Sequence, residues 1–189
     1  RRQRQMCIRD SRYPLPWQQQ FELYSSAARI SPTWAYGIAR SESLFMRDVR
    51  SSAGAVGLMQ LMPATGRQVA KEIRLPYSGL TTLTDPESNI RLGTSYLGQM
   101  AERFGGNRVL ATAAYNAGPH RVDRWLPAQG SEDARVWIEN IPFNETRKYV
   151  KRVLAAQAIF HWRMTGKLQR LSDELPLVKA ATETQLASR

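Results

Sequence analysis

The chain has 189 residues, with 27 Lys and Arg against 16 Asp and Glu and a net charge of +11. One cysteine and two histidines are too few for an intramolecular disulfide framework or a zinc site, and no apolar run approaches the roughly 18 residues of a membrane span. A composition of 42% hydrophobic and 23% charged residues excludes wholesale disorder and suits about one domain that buries its own core.

Residues 1–16 read as a basic N-terminal arm or as a foreign or truncated end. Residues 1–12 alone carry a net +4, and Met6-Cys7-Ile8-Arg9-Asp10-Ser11 has the look of translated adapter sequence. No signal-peptide core is visible. The first residue is Arg1, so an upstream part of the protein is expected. Residues 17–165 are read as the domain proper, with a net charge of +6, and 166–189 as a weakly amphipathic C-terminal tail, partly ordered. A basic domain suits an anionic polymer, a description that nucleic acid, acidic lipid and bacterial cell wall all meet.

The domain reads as helices throughout. Trp17, Phe21, Tyr24 and Ala28 recur at helical spacing over Trp17 to Arg29. Ser31-Pro32 predicts an N-cap followed by proline at the first helical position. Thr33 to Phe45 follows, with Trp34, Ile38, Ser41 and Phe45 on one face. A small-residue, glycine-bearing loop runs from Ser51 to Gln60. Pro63 opens a helix to about Glu72, and Asp85-Pro86-Glu87 opens another, whose apolar stripe ends at Phe104 with Gly105 beyond. Asn107 caps a short apolar helix that ends near Asn116. The last helix begins after Asn144 and runs to about Met164, with Gly166 beyond it. No segment alternates like a strand. The expected fold is all-α, a set of irregularly crossed helices with one Gly-rich loop.

The chemistry concentrates on Glu42. With each residue stepping about 100° around the helix, it falls about 80° from Trp34, at the edge of the apolar stripe. A carboxyl there is partly dehydrated, and dehydration disfavours the anion, so that the group stays protonated near neutral pH and can serve as a general acid. Pairing with Arg40 or Arg47 is the plainer alternative. In the loop, Gly54 and Gly57 let the main chain approach a ligand closely. Tyr115 offers a ring face and a hydroxyl, and Asn116 an amide that can donate and accept, which suits an acetamido group. Asn144 fits the cap of the last helix and Glu145 its first turn.

Four blocks follow one another: Arg40-Ser41-Glu42-Ser43, the Gly54-to-Pro63 loop, Ala113-to-Gly118, and Ile141-to-Tyr149. In that order, over about residues 20–165, they closely resemble the catalytic domain of the soluble lytic transglycosylases, a lysozyme-like family that cleaves peptidoglycan. Asp85 to Ile90 and Gly93 to Leu97 share the likeness. The resemblance implies a lysozyme-like fold with a substrate groove, no cofactor and no metal. It implies that Glu42 is the catalytic acid and that Ser51 hydrogen-bonds or orients it. Gln60 and Met62 would line the sugar groove. Tyr115 and Asn116 would contact the muramyl unit and its neighbour, Glu145 would bind substrate, and Tyr149 would lie close to the catalytic carboxyl. His120 stands where relatives often have glycine and could alter one rim of the groove.

The activity so implied is cleavage of the β-1,4 bond between N-acetylmuramic acid and N-acetylglucosamine without water, forming 1,6-anhydromuramyl ends, in the periplasm or cell envelope. The partner implied is the peptidoglycan glycan strand, and nucleic acid is not expected. Hydrolysis of the same bond is the alternative. It would need a second carboxylate, for which Asp48 and Glu145 are the candidates, and Asp48 reads more easily as a solvated partner of Arg47 or Arg50. A basic nucleic-acid-binding module and an inactive wall-binding domain are the remaining readings.

Overall fold

The structure is a computed structural model that describes residues 12–181. The proposed arm or foreign end over residues 1–11, and residues 182–189 of the proposed tail, lie outside the described residues. The helices are α1 (Gln18–Ala27), α2 (Pro32–Ser43), α3 (Pro63–Glu72), α4 (Leu80–Thr84), α5 (Pro86–Arg103), α6 (Arg108–Ala117), α7 (Pro119–Trp125), α8 (Ala134–Asn140) and α9 (Asn144–Thr165).

Helix α2 is the centre of the molecule. Every residue from Thr33 to Ala39 is buried, so it is covered on all sides rather than along one stripe. Its main neighbour is α9, which also lies against α6. Gly37 is the point of closest approach: a Cβ there would stand 2.9 Å from the Val153 carbonyl oxygen. Around this pair, α1 and α6 both pack on α5. Phe21 and Phe160 stack on opposite sides of Tyr36, with ring centroids 4.3 and 5.0 Å from it. An aromatic column therefore joins α1, α2 and α9.

Several caps follow the residues that predict them. The Asp85 side chain accepts the Ser88 amide N–H at 2.8 Å, with Pro86 at the first position of α5. Asn107 accepts from Val109 and Leu110. Gly105 and Gly166 follow α5 and α9 at positive φ.

Other expectations need correction. Helix α2 stops at Ser43, not Phe45, because Leu44 and Phe45 both turn to positive φ, 52° and 66°. Phe45 still reaches the core, edge-on to Tyr36 and Phe160. Ser31 sits at the N-cap of α2 but makes no cap bond, its hydroxyl instead pairing with that of Thr33. Asn144 is the first residue of α9 rather than its cap, and Phe143 precedes it. Helices α4, α7 and α8 are additional to the predicted set. So are two short antiparallel strands, β1 (Ser131–Glu132) and β2 (Val178–Lys179). Through β2 part of the segment read as a tail folds back, and Val178 is fully buried.

Candidate active site

Glu42 lies in the last turn of α2, half-buried. Tyr149, 2% exposed on α9, donates its hydroxyl to Glu42 Oε1 at 2.6 Å. Burial pushes the Glu42 carboxyl up to about 7, against the Tyr149 hydrogen bond and the Arg152 charge, which lower it; the Glu145 charge adds to the rise. Its place at a helix C-terminus, where the backbone carbonyls are unsatisfied, works in the same direction as burial. Burial likewise raises the phenols of Tyr115 and Tyr149 well above their usual range, with the Glu42 charge as the next cause for both. Both tyrosines are therefore neutral near pH 7, when Glu42 is close to half-protonated.

The loop from Leu44 to Met62 is held by a web of short contacts. Ser43 donates its hydroxyl to Leu58 O at 2.7 Å and ties the end of α2 to the loop. Val56 pairs with Arg50 and with Leu61 across two single bridges. The buried Asn89 of α5 adds three bonds from outside the loop's own backbone. Its Oδ1 accepts from Met59 N at 2.8 Å, and its Nδ2 donates to Val56 O and Leu83 O. Gly57, at φ 85°, passes so close that a Cβ would stand 2.2 Å from Leu83 O and 2.3 Å from Asn89 Nδ2.

The other predicted residues fall as follows. Tyr115 is 8% exposed and donates its hydroxyl to Met59 O at 2.8 Å, with its ring centroid 5.2 Å from that of Tyr96. Its proton is thus spent on the loop rather than offered outward. Gln60, at φ 48°, gives its amide nitrogen to Val49 O and Gly57 O and so braces the loop from within. Ser51 is exposed and accepts from Ala55 N at 3.0 Å; among the described residues no hydrogen bond joins it to Glu42. Met62 is 43% exposed immediately before α3. Asn116, half-buried at the end of α6, accepts the Thr146 hydroxyl at 2.7 Å. Glu145 is exposed in the first turn of α9, and His120 is exposed in that of α7. Asp48 is exposed and pairs with Arg47 at 3.4 Å.

The structure thus brings together Glu42, Tyr149, Tyr115, Asn116 and the loop carbonyls from α2, α6, α9 and one Gly-rich turn. Four residues of this arrangement are missing from the sequence reading: Ser43, Asn89, Thr146 and Arg152. Ser43 and Thr146 carry a visible signal, since each stands inside a block already singled out. Asn89 likewise stands in the stretch from Asp85 to Ile90 that shares the family likeness, though its hold on the loop is visible only in space; for Arg152 the signal is spatial only.

The chain as a whole is similar to known proteins. The family described as the transglycosylase SLT domain matches residues 19–138, and that described as the soluble lytic transglycosylase helical domain matches residues 140–168. The soluble lytic murein transglycosylase of Escherichia coli K12 is 44% identical over 176 residues, which is 92% of this chain and 26% of that protein. That of Salmonella typhimurium LT2 is 45% identical over 166 residues, 87% of this chain and 26% of that protein. Among solved structures, the 70 kDa soluble lytic transglycosylase of Escherichia coli superposes with a TM-score of 0.80 at 41% identity, over 89% of this chain and 27% of that one. The lytic transglycosylase Slt of Pseudomonas aeruginosa, solved as an inactive mutant, gives a TM-score of 0.81 at 41% identity, over 86% of this chain and 26% of that one. The chain therefore spans about a quarter of the length of these relatives.

Proposed function

The chain belongs to the SLT transglycosylase domain family, and from that premise we propose that it cleaves the β-1,4 bond between N-acetylmuramic acid and N-acetylglucosamine in peptidoglycan, as a lyase that consumes no water. The observation that carries this is Glu42, a half-buried carboxyl raised to about 7 and held by the hydroxyl of a buried tyrosine.

Protonated Glu42 donates to the glycosidic oxygen, and the bond to the anomeric carbon breaks. The 2-acetamido carbonyl oxygen of the same muramyl residue captures the positive carbon. Glu42, now a carboxylate, takes the proton of the muramyl C6 hydroxyl, and that oxygen closes the 1,6-anhydro ring and releases the acetamido group. Well-oriented intramolecular attack of this kind is worth about 7–11 kcal/mol of barrier. One titrating group does both proton transfers, so a value near neutral pH serves it well: protonated often enough to act as acid, and weak enough an acid to act afterwards as base. Tyr149 holds the carboxyl in place in both charge states. Asn116, Met62 and Glu145 are the proposed substrate contacts, and Tyr115, Gln60 and Ser51 support the loop that faces the sugar. Asp48, in its exposed pair with Arg47, offers no buried second carboxylate for water.

The proposed place of action is the periplasm or cell envelope, where peptidoglycan is met. No helix among the described residues is long and apolar enough to cross a membrane. The deciding experiment is mass spectrometry of the products from purified sacculi. Muropeptides with 1,6-anhydromuramyl ends are expected; reducing muramic acid ends would indicate hydrolysis instead, and intact sacculi would reject both.

A further inference from the structure

Asn116 follows Tyr115 at the end of α6, and its side-chain oxygen is already engaged. Thr146, in the first turn of α9, donates its hydroxyl to Asn116 Oδ1 at 2.7 Å. Thr146 is only 2% exposed, so its proton has no access to bulk water, and among the described residues it has no other acceptor. A hydroxyl carries one proton, whereas an amide side chain has an oxygen at one corner and an NH2 at the other. If the amide were turned round, the Thr146 proton would be buried without an acceptor, which folded proteins rarely tolerate. The threonine therefore selects one orientation of the asparagine. The NH2 is left without a protein partner among the described residues, and it is not among the polar atoms sealed from solvent.

We infer that Thr146 is a positioning residue that sets the polarity of Asn116, so that its open side offers an amide donor and reads an oxygen acceptor on the glycan. The inference rests on the proposed function in one respect, that the ligand is an N-acetylated glycan. An acetamido carbonyl answers the donor. The ammonium of a de-N-acetylated sugar meets it donor to donor and is rejected. A site built around a fixed hydrogen-bond polarity discriminates in this way because a mismatched ligand leaves desolvated groups unpaired.

The test uses the whole chain and two probes, the N-acetylglucosamine tetramer and its fully de-N-acetylated counterpart, alongside turnover on glycan strands. Thr146→Val is expected to raise KM about fivefold or more while kcat stays within about twofold, and to narrow the preference between the two tetramers. Thr146→Ser restores both. Asn116→Asp keeps an oxygen for Thr146 and puts a second oxygen where the NH2 stood. It is expected to weaken the acetylated tetramer at least about tenfold and to strengthen the de-N-acetylated one, and it tests the idea even if Thr146→Val folds poorly. Should Asn116→Asp bind both tetramers as the unaltered protein does, or Thr146→Val lower only the melting temperature, the inference is wrong. An unaltered protein that neither binds nor cuts the acetylated glycan would overturn the proposed function, and this inference with it.

Discussion

Two opposed influences act on the Glu42 carboxyl. Burial and the C-terminal end of α2 favour the protonated form, while the Tyr149 hydroxyl and the Arg152 charge favour the anion. The balance near 7 has consequences for rate and for stability. Turnover needs the acid form at its first step, so it falls as pH rises through about 7. Tyr149→Phe removes an influence that lowers the carboxyl. The alkaline limb of its pH–rate profile is expected to move to higher pH, in kinetics on solubilised glycan. Glu42→Gln should cut turnover by about a hundredfold or more, as loss of a general acid does, with binding to sacculi retained. Its stability runs the opposite way. A carboxyl whose folded value exceeds its ordinary 4.5 costs the fold nothing below that value, and costs progressively more between 4.5 and about 7, where the unfolded chain ionises first. The glutamine cannot ionise. Thermal melts are therefore expected to show Glu42→Gln above the unaltered protein at pH 8 and level with it below pH 4.5; a deficit at pH 8 would mean that the buried charge is not a burden on the fold.

At the scale of elements the Gly-rich loop is the informative case. That Gly54 and Gly57 stand in a loop is legible in the run of small residues around them. That only one of them is crowded is not, because the crowding comes from the Leu83 carbonyl and from Asn89, whose Oδ1 meets a loop amide 30 residues before it in the chain. Gly54 has nothing within 4 Å of a virtual Cβ, at φ 93°. Gly54→Ala should therefore cost only left-handed backbone strain, about 1–2 kcal/mol. Gly57→Ala adds collision with a carbonyl and with the Asn89 amide, and should cost about 3 kcal/mol or more. Urea denaturation of the two variants checks the order, and equal midpoints would show that the loop yields without disturbing Asn89. The end of α2 was hidden for a related reason. Phe45 keeps the helical spacing from Ser41, and no glycine marks the stop. The chain turns at Leu44 and Phe45 because the Phe45 ring is drawn back to Tyr36 and Phe160, a pull visible only once α9 is in place.

At the scale of the whole molecule, the helical class was legible from spacing and caps such as Asp85 and Asn107, while the pairing of helices was not. The β1–β2 contact joins Ser131 to Lys179 through two residues per strand, too short a pattern for periodicity to register. The pairing of α2 with α9 depends on Gly37, which within α2 is simply a residue of weak helix propensity. Yet this contact sets the site, because Glu42 stands on one helix and Tyr149 on the other. An alanine Cβ at 37 would lie 2.9 Å from the Val153 carbonyl and 3.4 Å from the Gln157 amide nitrogen. Both are backbone atoms of a continuous helix and cannot step aside singly, so the helices must separate by a few tenths of an ångström. Gly37→Ala gains helix propensity but loses this fit, for a net cost of about 1–2 kcal/mol in chemical denaturation. The separation also stretches the Tyr149–Glu42 bond. The alkaline limb of turnover is then expected to rise in pH, in the same direction as for Tyr149→Phe and by less. Lower stability with an unmoved limb would mean that the loop and Ser43, rather than the spacing of α2 and α9, hold the carboxyl where it is.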